Sequence, residues 1–184
     1  MIYRIGIVFV LMLVCSSFTQ AEGQRDGYNA LTTLNGDWAL DSADKQEGKA
    51  TKNKIVSPLL GTGKTAMSFK VIGKGSAVQE NLLPGTGKEM ATMYHCDDYK
   101  NCNKVVAKHY CAKQNQPELS LMGMKGKTIT FECNPANSTC SSKAGHVHQI
   151  SHELSNGGKN LKTTYTIFKD GKKQKDSIYH FVKK

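Results

Sequence analysis

The chain has 184 residues, a formal net charge of +10 at pH 7 and a 39% hydrophobic composition. Without residues 1–21 the length still suits one domain with a real core. Its lysines are spread over 45–54, 169–175 and the C-terminus, with little arginine or aromatic interleaving, so the charge reads as a solvated surface and no nucleic-acid partner is expected.

At the N-terminus, Arg4, the apolar run from Ile5 to Val14 and the small or polar residues from Ser16 to Ala21 follow the order of a secretion signal. The pattern predicts a signal peptide over residues 1–21, with Thr19 and Ala21 at the small positions before the cleavage site. Acylation at Cys15 is disfavoured because Val14 stands where a small residue is needed. The apolar run is short for a bilayer span and no second one follows, so no transmembrane segment is expected and the product is read as exported, periplasmic or secreted.

Residues 22–34 read as a polar leader ending in a short helix over Tyr28 to Leu34, where Ala30, Leu31 and Leu34 fall on one side. Residues 35–184 read as one β domain. Alternating runs predict strands near 36–41, 54–60, 65–73, 76–83, 88–96, 103–112, 118–122, 127–133, 145–154, 160–169 and 174–183. Turn signals such as Gly73-Lys74-Gly75, Asn156-Gly157-Gly158 and Asp170-Gly171 join several of them. Many consecutive strands with hairpin-length links predict an all-β, antiparallel up-and-down barrel of about 8–10 strands, because closure removes the exposed edges; a two-sheet sandwich is the alternative.

Two cysteine pairs are close in sequence, Cys96 with Cys102 and Cys133 with Cys140, each flanking a turn-like segment. In an exported chain these are expected to be disulfides, leaving Cys111 over. A zinc tetrathiolate is the competing use, and it is disfavoured because no Cys-x-x-Cys occurs. Gly61-Thr62-Gly63-Lys64-Thr65 ends like a phosphate-binding loop but has Pro58 where the pattern needs glycine and a strand where it needs a helix. It and Gly85-Thr86-Gly87-Lys88 are read as turns.

The segment Gly36-Asp37-Trp38 carries Gly-x-Trp at the start of the first strand, and it resembles the opening motif of lipocalins. The run from Gly75 to Glu80, Pro84-Gly85-Thr86, Glu89 to His95, His109-Tyr110-Cys111-Ala112, Asn115-Gln116-Pro117, Gly145-His146-Val147-His148 and the closing strand are similar to an uncharacterised family of bacterial exported lipocalin-like proteins. The resemblance covers about residues 31–184. It implies a calycin barrel in which Gly36 and Trp38 are structural, the tryptophan plugging one end, and it implies no activity. Members of that family usually lack cysteines at positions like 96, 102, 133 and 140, which supports their reading as added staples.

Strand alternation sorts the remaining polar residues by face. His146, His148, Ile150, His152 and Leu154 share one face, as do Val105, Ala107, His109 and Cys111, and their apolar company points both sets inward; His95 shares a face with Ala91 and Met93. With Tyr110, Asn115 and Gln116 as further partners, the candidate ligand-binding set is His95, His109, Tyr110, Cys111, Asn115, Gln116, His146 and His148. Three uses stay open: a hydrogen-bonded network that orients a ligand, a transition-metal or haem site on His109, His146 and His148, or a Cys111 nucleophile with a histidine base. The favoured expectation is a small apolar or amphipathic ligand in a lumen lined by Met93, Ile129, Phe131, Ile150 and Tyr165.

Overall fold

The structure, a computed structural model, describes residues 23–184. The predicted signal peptide lies outside the described residues. Residues 23–32 form helix α1. The strands are β1 (Gly36–Leu40), β2 (Glu47–Gly48), β3 (Thr65–Ile72), β4 (Ala77–Leu82), β5 (Met90–Cys96), β6 (Val105–Tyr110), β7 (Glu118–Lys125), β8 (Thr128–Cys133), β9 (His146–Ser155), β10 (Asn160–Lys169), β11 (Lys172–Lys173) and β12 (Ser177–Lys183), with a one-turn helix α2 (Ser138–Ser141) before β9.

All pairings are antiparallel, and ten strands close into a barrel in the order β1-β3-β4-β5-β6-β7-β8-β9-β10-β12 and back to β1. Closure comes from β12, which pairs Leu161↔Phe181 with β10 and Leu40↔Phe181 with β1. Among the described residues no long edge of the sheet is left open, which is how an all-β chain avoids edge-to-edge association. The short β2 and β11 only extend β12 and β10.

The strands form because their apolar residues alternate. In β8 Ile129, Phe131 and Cys133 are buried while Thr128, Thr130 and Glu132 are not, and β4 repeats the pattern with Val78, Glu80 and Leu82. Tight turns set the register: Asp170 and Gly171, both at positive φ (53° and 69°), are the two central residues between β10 and β11, the geometry a two-residue hairpin needs.

One barrel end is closed. Leu31, Leu34 and Tyr28 are buried beneath the strands, Trp38 is fully buried with Nε1 donating to Leu34 O at 2.9 Å, and the Tyr28 hydroxyl donates to Gly75 O at 2.8 Å. Gln24 clamps α1 to two strands, donating to Leu121 O at 3.3 Å and accepting from Val105 N at 2.8 Å. Gly27 lies against Leu121, and a Cβ there would collide with that side chain. The helix starts before the predicted Tyr28 because these tertiary contacts hold a glycine-containing turn that propensity disfavours.

The expected strand at 54–60 is absent. Residues 57–59 form a 3-10 turn with Pro58 in it, and Val56 and Ala50 are buried beside it. Pro58 has no N–H for a ladder, and Ile55, Val56, Leu59 and Leu60 do not alternate, so the segment packs as a strap rather than a strand.

Candidate functional site

Both cysteine pairs are bonded, Cys96 to Cys102 and Cys133 to Cys140, and Cys111 is free and half-buried. The first pair staples the β5–β6 connection. The second ties the end of β8 to α2.

The barrel interior holds a polar network centred on Glu80, which is fully buried. Alternation in β4 aims Glu80 inward between Val78 and Leu82, and the register places it opposite Thr92, which in turn faces His109. The hydroxyls of Tyr94 and Tyr165 donate to the two oxygens of Glu80, and Thr92 Oγ1 donates to Glu80 Oε1 at 3.3 Å. His152 Nε2 stands 3.3 Å from Glu80 Oε2 and 2.9 Å from the Tyr94 hydroxyl, while its Nδ1 meets Thr163 Oγ1 at 3.0 Å. Burial pushes the Glu80 carboxyl up, but His152 and the two phenols outweigh it and hold the group below its ordinary value. The same burial and the Glu80 charge push both phenols well up, so they stay neutral donors.

Thr92 Oγ1 also stands 2.9 Å from His109 Nδ1, and His109 Nε2 is buried with no hydrogen-bond partner among the described residues. Burial lowers the His109 pKa from 6.5 to about 4, with Glu80 opposing, so the ring is neutral at pH 7.

Beyond this network, at the end opposite α1, a cavity of about 560 Å³ opens. Leu82, Met90, Val147, Ile167, Tyr165 and Tyr179 form its apolar wall, and Lys49, Lys52, Lys88 and Lys113 stand around it. Tyr165 belongs to both regions: it lines the cavity and its hydroxyl reaches Glu80. Cys111 lines the cavity too, its Sγ 3.9 Å from Met90 Sδ.

The structure disperses the other sequence candidates. In β5 the buried residues are Thr92, Tyr94 and Cys96, so the phase is opposite to the one expected: Met93 is only half-buried, and His95 is exposed with Nδ1 on Cys96 O at 2.8 Å. The bulky Tyr94 takes the interior, which alternation alone did not decide. Tyr110 is 42% exposed and Gln116 is exposed; Asn115 donates to Gly145 O at 3.0 Å.

His146 and His148 do not share the inward face of Ile150 and His152. The pairing of β9 with β10 runs Ile150↔Tyr165, Gln149↔Thr166 and then Val147↔Ile167, skipping His148. This one-residue bulge hands the inward phase to Val147, which lines the cavity, and takes the two histidines out of its lining, His146 staying buried as expected and His148 half-buried. His148 instead stacks on Phe168 with ring centroids 3.9 Å apart. Among the described residues no set within coordinating reach joins His109 to this pair; the grouped residues are Cys133, His146 and His148, with ligand atoms within 4.8 Å of one another.

Within that group the Cys133 sulfur is already bonded to Cys140. His146 Nδ1 lies 2.9 Å from Ala144 O and must donate to it, which leaves a lone pair on Nε2, 3.2 Å from His148 Nδ1. Burial and the neighbouring His146 lower the His148 pKa.

Glu80, Thr92, Tyr94 and Thr163 were outside the sequence-derived set. Val78, Glu80 and Leu82 are in phase, so the signal was alternation around a charged residue. No protein-family model and no curated protein matches the chain.

Proposed function

We propose that this chain is an exported, lipocalin-like barrel that binds a small apolar or amphipathic molecule in the cavity at its open end. The observation that carries the reading is that cavity. Its volume is within the range of small-molecule sites, its wall is apolar, and a closed barrel with a plugged far end is a rigid container for one ligand. The buried Glu80 network supports it from beneath by fixing the Tyr165 ring that forms part of the wall. Export rests on the signal-like residues 1–21, and two disulfides are compatible with an oxidising compartment. Among the described residues no helix is long and apolar enough to cross a membrane.

Native mass spectrometry of protein purified without a histidine tag tests the reading. A co-purified organic mass, released on unfolding and rebound on refolding, is expected. Failure of the protein to take up any apolar or amphipathic probe contradicts it.

A second reading is favoured by one observation, the 3.2 Å between His146 Nε2 and His148 Nδ1. Two imidazole nitrogens on a tetrahedral zinc ion stand about 3.3 to 3.4 Å apart. The Ala144 carbonyl holds His146 in the tautomer that presents Nε2, the usual support for a metal-bound imidazole. Calorimetric titration with Zn²⁺ tests this reading: micromolar binding lost in His148→Ala supports it, and equal heats from both proteins end it.

A further inference from the structure

The rim of the open end is built asymmetrically in charge. Four lysines come from three separate segments: Lys49 and Lys52 from the turn just after β2, Lys88 from the β4–β5 turn and Lys113 from the β6–β7 turn. All four are exposed, and among the described residues no carboxylate lines the cavity with them. Three acids flank the rim without lining the cavity: Asp176 pairs through Oδ2 with Lys173 at 3.1 Å while its buried Oδ1 has no partner among the described residues, Glu89 accepts from Gly85 N at 2.9 Å, and Glu47 meets His180 Nε2 at 2.9 Å.

The inner end has the opposite character. Behind Tyr165 lies the Glu80 carboxylate, held ionised by its partners. An anionic group pushed inward would lose its water and face that charge, whereas an apolar chain finds Leu82, Val147 and Ile167. At the mouth an anionic head stays hydrated and meets the four lining ammonium groups.

We propose that the ligand is a free, single-chain amphiphile with an anionic head group such as a carboxylate, bound tail-inward with the head among Lys49, Lys52, Lys88 and Lys113. This rests on the reading of the cavity as a ligand site and adds its polarity. About 560 Å³ holds one chain of moderate length, which favours a monomeric amphiphile over insertion of a lipid surface.

The test is calorimetry of the purified protein with decanoate, decanol and decyltrimethylammonium, each below its aggregation concentration. It is repeated with Lys88→Glu/Lys113→Glu and at 50 and 500 mM salt. Decanoate is expected to bind at least tenfold more tightly than decanol, with decyltrimethylammonium weakest. The double variant should cut decanoate affinity tenfold or more while sparing decanol, and high salt should do the same. Both substituted side chains are exposed, and unchanged near-ultraviolet circular dichroism verifies the fold. Equal binding of decanoate and decanol overturns the head-group proposal and leaves the ligand site standing. Uptake of none of the three overturns both. Co-sedimentation with phosphatidylglycerol vesicles, together with no calorimetric binding of decanoate, assigns the lysines to a membrane surface and overturns the proposal.

Discussion

Glu80 occupies a position where the alternation of β4 asks for an apolar side chain, and it survives there because four partners converge on one carboxylate. Replacing it with alanine leaves Tyr94, Tyr165 and His152 without their acceptor inside the barrel. Loss of about 3 to 5 kcal/mol is expected from urea unfolding, against a much smaller loss for Tyr165→Phe, which removes one donor and keeps the ring.

The network also sets the response to acid. His109 has a folded-state pKa of about 4 against 6.5 unfolded, so between those values only the unfolded chain binds the proton. Stability therefore falls as pH falls through that window, by roughly 3 kcal/mol in total. Glu80 adds in the same direction lower down: its depressed carboxyl contributes stability above the ordinary carboxylate range, and that contribution is lost as pH drops through its folded value. Urea midpoints at pH 7 and pH 4.5 should differ clearly in the native sequence and much less in His109→Gln. An unchanged difference would contradict the burial of a neutral imidazole.

At the scale of elements, β9 shows where pattern reading stops. Its polar-apolar alternation correctly groups Ile150 with His152, but the skipped residue at His148 reverses the phase for His146 and His148. A bulge is a local rearrangement of ladder hydrogen bonds that leaves no unique residue signature, so the histidine pair was wrongly placed in the cavity lining. The strap over 54–60 misled for a related reason, because its apolar content resembles a strand until Pro58 and the lack of alternation are weighed. The two cysteine pairs were legible, since each brackets a turn between strands. Each closes a small loop, with sequence separations of 6 and 7, and the chain-entropy contribution of such a loop is about 2 kcal/mol. Cys133→Ala/Cys140→Ala should therefore lower the unfolding free energy by about that much and leave a folded barrel. Loss of the fold would show that the staple contributes far more than its loop entropy.

For the whole molecule, barrel closure was the most legible feature, because consecutive hairpins leave a long sheet with two edges unless the last strand returns to the first. The end at which the cavity remains was not legible. It depends on α1, Trp38 and Leu34 filling one end, and on the Glu80 network crossing the middle with long polar side chains that pair with one another. What is left is the region between Leu82, Val147, Ile167 and Tyr179, contributed by strands far apart in sequence. Cys111 stands in that region as a natural reporter. The most direct test of the cavity as the ligand site is therefore the rate at which iodoacetamide alkylates Cys111, followed on its peptide by mass spectrometry with and without saturating decanoate. A rate slowed tenfold or more, with unchanged alkylation in the urea-unfolded chain, is the expected result; bound decanoate that leaves the Cys111 rate unaltered would contradict it.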